Sequence, residues 1–237
     1  MFCIKIADIP IRINNRYPYV RHMCREFEVT EAPAFSVSVT EEEISEEQNG
    51  EKRFSRGYCE SLCIYRKICC RLARYDAFLM HSAVIAVDDA AYVFAAPSGT
   101  GKTTHIRLWL EAFGDRARVI NGDKPVFRFI EGVLYACGTP WRGKEGMGCN
   151  EMCPVQAVCF LEQGCENRIR RLGMEEVNGR IFHQILLPKE EQDFTCFWPL
   201  LEKLVTATDF YLLQCNRTQE AVWKAYHAMR RNEHVEN

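Results

Sequence analysis

The sequence predicts an α/β fold: a mixed, twisted sheet with flanking helices, in which a β-hairpin leads straight into a glycine-rich loop. Three observations carry this. Residues 82–87 and 91–95 are apolar runs separated by the turn signal Asp88-Asp89. The second run passes directly into Ala96-Pro97-Ser98-Gly99-Thr100-Gly101-Lys102-Thr103-Thr104. Helical spacing follows, with Ile106, Trp109, Leu110 and Phe113 on one face and Gly114 as the stop.

The other elements follow in chain order. Residues 1–40 read as short strands: 4–13 alternates loosely around Pro10, and Phe35, Val37 and Val39 share one face. Glu41, Glu42, Glu43, Glu46, Glu47 and Glu51, with Asn49-Gly50 as a turn, read as a solvated loop or hairpin tip. Charge then reverses. Lys52, Arg53, Arg56, Arg66, Lys67, Arg71 and Arg74 face a single acid, Glu60. Residues 58–74 have helical periodicity with Leu62, Tyr65, Cys69 and Leu72 on the apolar face, as in a surface helix. A basic face for a phosphorylated or acidic partner is the alternative. Residues 118–123 form a short strand ending in Asp123, and 126–129 and 133–136 a hairpin around Glu131-Gly132. A loop rich in glycine and charge spans 138–148. A strand at 155–161, helices at 174–186 and 197–208, a strand at 210–213 and a helix at 218–230 complete the chain. The expected organisation is a strand-rich segment at 1–55 and one main domain at 56–237.

Composition narrows the function classes. In 237 residues, 30 basic against 32 acidic side chains give a net charge of -2, too balanced for a broad nucleic-acid surface. No window approaches a membrane span, and the N-terminus has no basic start before an apolar stretch. A cytoplasmic protein with no membrane or nucleic-acid partner is expected. The 13 cysteines include no Cys-x-x-Cys pair; Cys59/Cys63 and Cys149/Cys153 are the nearest to metal-ligand spacing. Their apolar neighbours favour reduced core thiols.

The glycine-rich loop has the requirements of a phosphate site. Gly99 and Gly101 let successive backbone N–H groups turn inward, and the helix start adds its own unpaired N–H groups. Lys102 is placed to reach the β- and γ-phosphates of a nucleotide, and Thr103 to offer a hydroxyl to Mg²⁺. Pro97, Ser98, Thr100 and Thr104 complete the expected nucleotide contacts. Ala96 stands where the motif has its first glycine. Asp123, at a strand end 20 residues after Thr103, is the candidate second acid for the metal.

With Met80-His81-Ser82-Ala83 before the hairpin, the loop at its end and Asn121-Gly122-Asp123 beyond, the chain resembles the HPr serine kinase / phosphoenolpyruvate carboxykinase superfamily. It looks most like the small stand-alone serine kinases of that group. The similarity is firm over 79–125, weaker to about 215, and absent from 1–55. The resemblance implies that fold type, with ATP and Mg²⁺ as cofactors. It puts His81 near the transferred phosphate, makes Asp123 the metal-water contact and hydroxyl activator, and sets Arg142 and Lys144 against the phosphates. Glu145 would ligate the metal or bind Lys144. The family's Asp-Asp pair is broken here, because Lys124 follows Asp123.

The activity expected is transfer of the γ-phosphate to a hydroxyl, a serine foremost, of a peptide, small protein or small molecule. A catalytically inactive nucleotide-binding regulator or assembly factor is one alternative, and a carboxykinase-like enzyme the other. The family also implies a homo-oligomer by analogy. Trp141 is expected to pin its loop, with nucleobase stacking as the alternative. Arg168, Arg170 and Arg171 read as a solvated strand end, or as a surface recognising an acidic or phosphorylated partner.

Overall fold

The computed structural model describes residues 1–50 and 54–230. Glu51, Lys52, Arg53 and the 231–237 stretch lie outside the described residues. The described residues are mixed α/β and form two sheets. No helix among the described residues is long and apolar enough to cross a membrane.

The small sheet has the order β1-β2-β3, with β1 (Phe2–Ile6), β2 (Ile9–Asn14) and β3 (Phe35–Ser38). β1 and β2 are antiparallel, with Ile4 opposite Ile11; β2 and β3 are parallel. Ala7 and Asp8 both take positive φ in the two-residue turn, as the twist of a tight hairpin requires. Its apolar side packs against helices α1 (Pro18–Met23), α2 (Glu41–Gln48) and α3 (Arg56–Leu72) in one cluster that includes Ile4, Ile11, Ile44, Ile64 and Ile68. The cluster therefore runs across residue 55.

The solvated loop expected at 41–51 is instead helical over Glu41–Gln48. Thr40 accepts from the Glu43 N–H at 3.3 Å, and the Glu43 carboxylate accepts from the Thr40 N–H at 2.8 Å. This reciprocal cap satisfies two otherwise orphaned donors, and Ile44 supplies the buried anchor. Asn49 closes the helix in the left-handed region. The acidic and basic stretches are each other's partners: Arg56 pairs with Glu41, Arg66 with Glu47 at 2.8 Å and Lys67 with Glu43 at 2.7 Å. The α3 core face centres on Ile64, Ile68 and Leu72, whereas Leu62 is only half-buried.

Glu60 fixes α1 to α3. Fully buried, its carboxylate accepts from the N–H groups of Arg16 at 2.5 Å and Tyr17 at 3.0 Å. Glu60→Ala would strand both donors and should destabilise the protein by about 2 kcal/mol. The check is a lower urea midpoint with an unchanged transition slope.

The main sheet has nine strands in the path β4-β8-β9-β10-β6-β5-β7, with β12 also on β10 and β11 on β12. They are β4 (Ala77–Leu79), β5 (Ser82–Val87), β6 (Ala90–Ala95), β7 (Ala117–Asn121), β8 (Val126–Ile130), β9 (Val133–Cys137), β10 (Met152–Gln163), β11 (Arg168–Arg171) and β12 (Phe210–Cys215). Strand β10 is the junction. Along one edge, its first residues pair antiparallel with β9 and its later ones parallel with β12; β6 runs parallel along the other. The expected 82–95 hairpin is present, with Ser82 opposite Ala95.

Every residue of β5 is buried, because both faces are covered. Val84 and Ala86 face a cluster containing Phe197, Leu200 and Leu204 of α6 (Glu191–Ala207) and Val177 and Ile181 of α5 (Met174–Ile181). Ala83, Ile85 and Val87 face Ile106, Trp109 and Phe113 of α4 (Lys102–Phe113) and Val222 and Ala225 of α7 (Gln219–Met229). The helix expected at 174–186 stops at Ile181 because the chain returns to the sheet: Ile185 bridges Met80, and the Leu186 N–H donates to the Leu79 carbonyl. The helix expected from 197 starts at Glu191 and accommodates Pro199 in its interior.

All 13 cysteines are free. Burial pushes Cys63 and Cys153 up to about 11 and Cys137 up to about 12, so these behave as inert core thiols. Among the described residues, no three His, Cys, Asp or Glu are grouped to hold a metal, Cys149 and Cys153 included. The three arginines of β11 are paired, Arg168 with Glu166, Arg170 with Glu176 and Arg171 with Asp209, which matches the solvated-strand-end expectation.

Candidate functional site

The glycine-rich loop leaves β6 and enters α4. Gly99 has φ +83° and Gly101 φ +118°, conformations that side-chain-bearing residues rarely adopt. A Cβ built on either would meet nothing within 4 Å, so the loop is open there. Gly101 caps α4 with no side chain, which leaves the first helical N–H groups without a side-chain acceptor. The Lys102 ammonium donates back to the loop, to the Ala96 carbonyl at 2.7 Å and the Pro97 carbonyl at 3.4 Å. Its burial lowers the lysine pKa, and the negative charge of Asp123 opposes that shift.

Asp123 follows the end of β7, in a turn braced by fully buried Asn121. The Asn121 amide oxygen accepts from the N–H groups of Asp123 at 2.9 Å and Lys124 at 2.8 Å. Its NH₂ donates to the Thr139 hydroxyl at 3.0 Å and to the carbonyls of Thr139 and Trp141. One side chain thus ties the carboxylate's turn to the 138–148 loop. His81 Nε2 lies 3.0 Å from Asp123 Oδ1, and Lys124 Nζ 3.6 Å from Oδ2. Burial pushes the Asp123 carboxyl up, but the His81 hydrogen bond and the charges of Lys124, His81 and Lys102 outweigh it. The net value falls below the ordinary 3.8. An ionised Asp123 requires His81 Nε2 to carry the proton and donate.

Gly143 packs against the carboxylate. Its φ is +70°, and a Cβ there would sit 2.8 Å from Asp123 Cβ. A larger residue would be strained and would displace the acid. The preceding Trp141 pins the loop, as expected: it is buried, stacks on Tyr65 with ring centres 4.1 Å apart, and donates from Nε1 to the Ser61 carbonyl at 3.1 Å.

A cleft of about 950 Å³ gathers Ser98, Gly99, Gly101, Lys102 and Thr103 with His81, Asp123, Lys124, Arg142, Lys144 and Glu145. Not every expected residue converges there. Thr100 and Thr104 line a separate cavity of about 250 Å³ with His105 and Leu108. Exposed Pro97 lines neither, and contributes its carbonyl to Lys102. Arg142 lines the cleft, but its guanidinium is held by Glu26 at 2.6 Å, over the Phe27 ring. Glu145 pairs with Arg107 of α4 at 2.5 Å, not with Lys144.

Sequence reasoning missed one part of the lining. Tyr19 and Met23 of α1 and Tyr58, Ser61 and Leu62 of α3 also face this cleft. No local signal marks them, since only the docking of the small sheet and its helices brings them beside Asp123.

No family model matches the chain. No curated protein matches it either. Among solved structures, the Hpr(Ser) kinase/phosphatase from Coxiella burnetii is similar with a TM-score of 0.36 and 6% sequence identity, over 63% of this chain and 93% of that one. A likeness this slight carries neither a detailed fold nor an activity over to the present chain.

Proposed function

We propose that the protein is an ATP- and Mg²⁺-dependent phosphotransferase of the HPr-kinase-like type. It moves the γ-phosphate to a hydroxyl, foremost a serine, of a peptide, small protein or small molecule. One observation carries the reading: an open glycine loop with Lys102 and Thr103 at a helix start shares a cleft with an ionised Asp123 held by His81.

The residues fit the nucleotide. The positive-φ glycines leave their open side free of protein atoms, and the helix start offers N–H donors. These groups and Lys102 would hold the phosphates; Thr103 and Asp123 would hold Mg²⁺. When bound, the metal neutralises phosphate charge. Asp123 orients the acceptor hydroxyl and takes its proton as the oxygen–phosphorus bond forms and the bond to the departing diphosphate breaks. Its lowered pKa makes it a weak base, so orientation is its larger contribution. His81 fixes which carboxylate oxygen is available. Lys102 gives up two backbone carbonyls to meet the phosphates, a contact that compensates for its partial desolvation.

One observation favours a second reading, a nucleotide-binding regulator without transfer. Lys124 occupies the place of the family's second acid and sits against Asp123. Incubation with γ-labelled ATP, Mg²⁺ and a panel of hydroxyl acceptors separates the two. Label passing to an acceptor is the expected result. Tight ATP binding with no transfer to any acceptor overturns the kinase in favour of the regulator.

A further inference from the structure

The cleft has a wall that phosphate chemistry leaves unused. Tyr19 and Met23 on α1 and Tyr58 and Leu62 on α3 form it. The two helices meet closely at Gly57, where a Cβ would lie 2.7 Å from Tyr19 Cβ. Tyr19 remains 43% exposed, a large ring left in water beside the site. Its ring meets Tyr58 edge to face at 6.1 Å, and Phe54 stacks on Tyr58 at 5.4 Å, so the aromatic surface is held in place. Tyr58 lines the same cleft as Asp123, and burial, then Tyr19, then the Asp123 carboxylate raise its pKa. The wall is poor in free polar groups. The Ser61 hydroxyl is spent on the Tyr58 carbonyl at 2.7 Å, which leaves the phenol hydroxyls.

We infer that this wall is the acceptor site, and that the acceptor is a polypeptide whose reactive serine is flanked by a large apolar side chain. The inference rests on the phosphotransfer reading. Because Asp123 and the rings line one cleft, a polypeptide that presents its hydroxyl to Asp123 has its flanking side chains on the side of the aromatic wall. Those rings reward apolar burial, while the phenol tips suit peptide N–H and carbonyl groups. Against the rings themselves a sugar or a charged metabolite would find only the phenol hydroxyls as polar partners and would lose hydration. The phosphate half of the cleft is separately furnished by Lys102, Thr103 and the loop, so the two substrates do not compete for it.

The test uses the full-length protein with γ-labelled ATP, Mg²⁺ and a serine peptide library randomised at the flanking positions. Label should concentrate about tenfold or more in peptides with Phe, Leu or Met beside the serine. With the best peptide, Tyr19→Ala and Leu62→Ala should each raise its KM about tenfold and leave the KM for ATP within about twofold. Tyr19→Phe, which keeps the ring, should retain the preference. Indifference to the flanking residue overturns the inference, as does a preference for charged flanks or label confined to small hydroxyl compounds. A rise in the ATP KM of Tyr19→Ala, with the peptide KM unchanged, would assign the wall to the nucleoside instead. If ATP binds and no acceptor of any kind is labelled, the phosphotransfer reading falls, and this inference with it.

Discussion

Lys102→Ala is expected to lower Mg²⁺-dependent ATP turnover by ~10²-fold or more. The ammonium is the buried cation at the start of α4, and it shares its cleft with Asp123. Removing it takes away the charge that would meet the phosphates. The fold should survive, because the lost bonds run only to two carbonyls of its own loop. Ala96 is buried, yet exposed Pro97 lets water reach the loop. The check pairs steady-state turnover with a thermal melt: turnover falls while the melting temperature moves by only a few degrees. Wild-type turnover in a folded Lys102→Ala protein would remove the loop from the chemistry.

Asp123→Asn is the second large effect. The amide preserves the shape and keeps an oxygen for His81. Its NH₂ then replaces the other oxygen and can neither accept from the acceptor hydroxyl to orient it, nor take its proton, nor carry charge toward the metal. Transfer should fall ~10²- to 10⁴-fold while nucleotide binding persists. The wild-type pH profile adds an independent test. The folded pKa of Asp123 is depressed, so the ionised form is present above the ordinary carboxylate range and is lost only as pH falls through the lower folded value. The acid limb of kcat/KM attributable to this group therefore lies below the ordinary aspartate value of 3.8. The same sign governs stability: the favourable contacts with His81 and Lys124 are present at neutral pH and disappear on acidification. An unchanged transfer rate in Asp123→Asn would place the base elsewhere, and Glu145 would be tested next after release from Arg107.

What could be read from sequence was what local chemistry writes down. The apolar runs of β5 and β6, the Asp88 turn and the 3.6-residue period of α4 lie within one continuous segment, and the structure reproduces them. The α2 helix was also written locally, in Thr40 and Glu43, but its dense charge and single buried residue, Ile44, imitate a solvated loop. The aromatic wall was not legible. Tyr19 and Leu62 reach the neighbourhood of Asp123 only through packing of α1 on α3, which the buried Glu60 carboxylate and Gly57 make close. The resemblance sets Arg142 against the phosphates; its engagement by Glu26 depends on a residue distant in sequence.

Strand β10 has a consequence for how the chain is made. Its early residues can pair with β9, and its later ones with β6, as soon as they emerge, since both partners precede it in the chain. Its remaining edge, Val158 to Gln163, must wait for Phe210 to Cys215. During synthesis from the N-terminus, a row of unpaired backbone groups along an apolar strand therefore stays open while α5 and α6 are being made. A ribosome paused between β10 and β12 would hold the protein with that edge open to other chains, the glycine loop and Asp123 already synthesised and the sheet beside them unfinished.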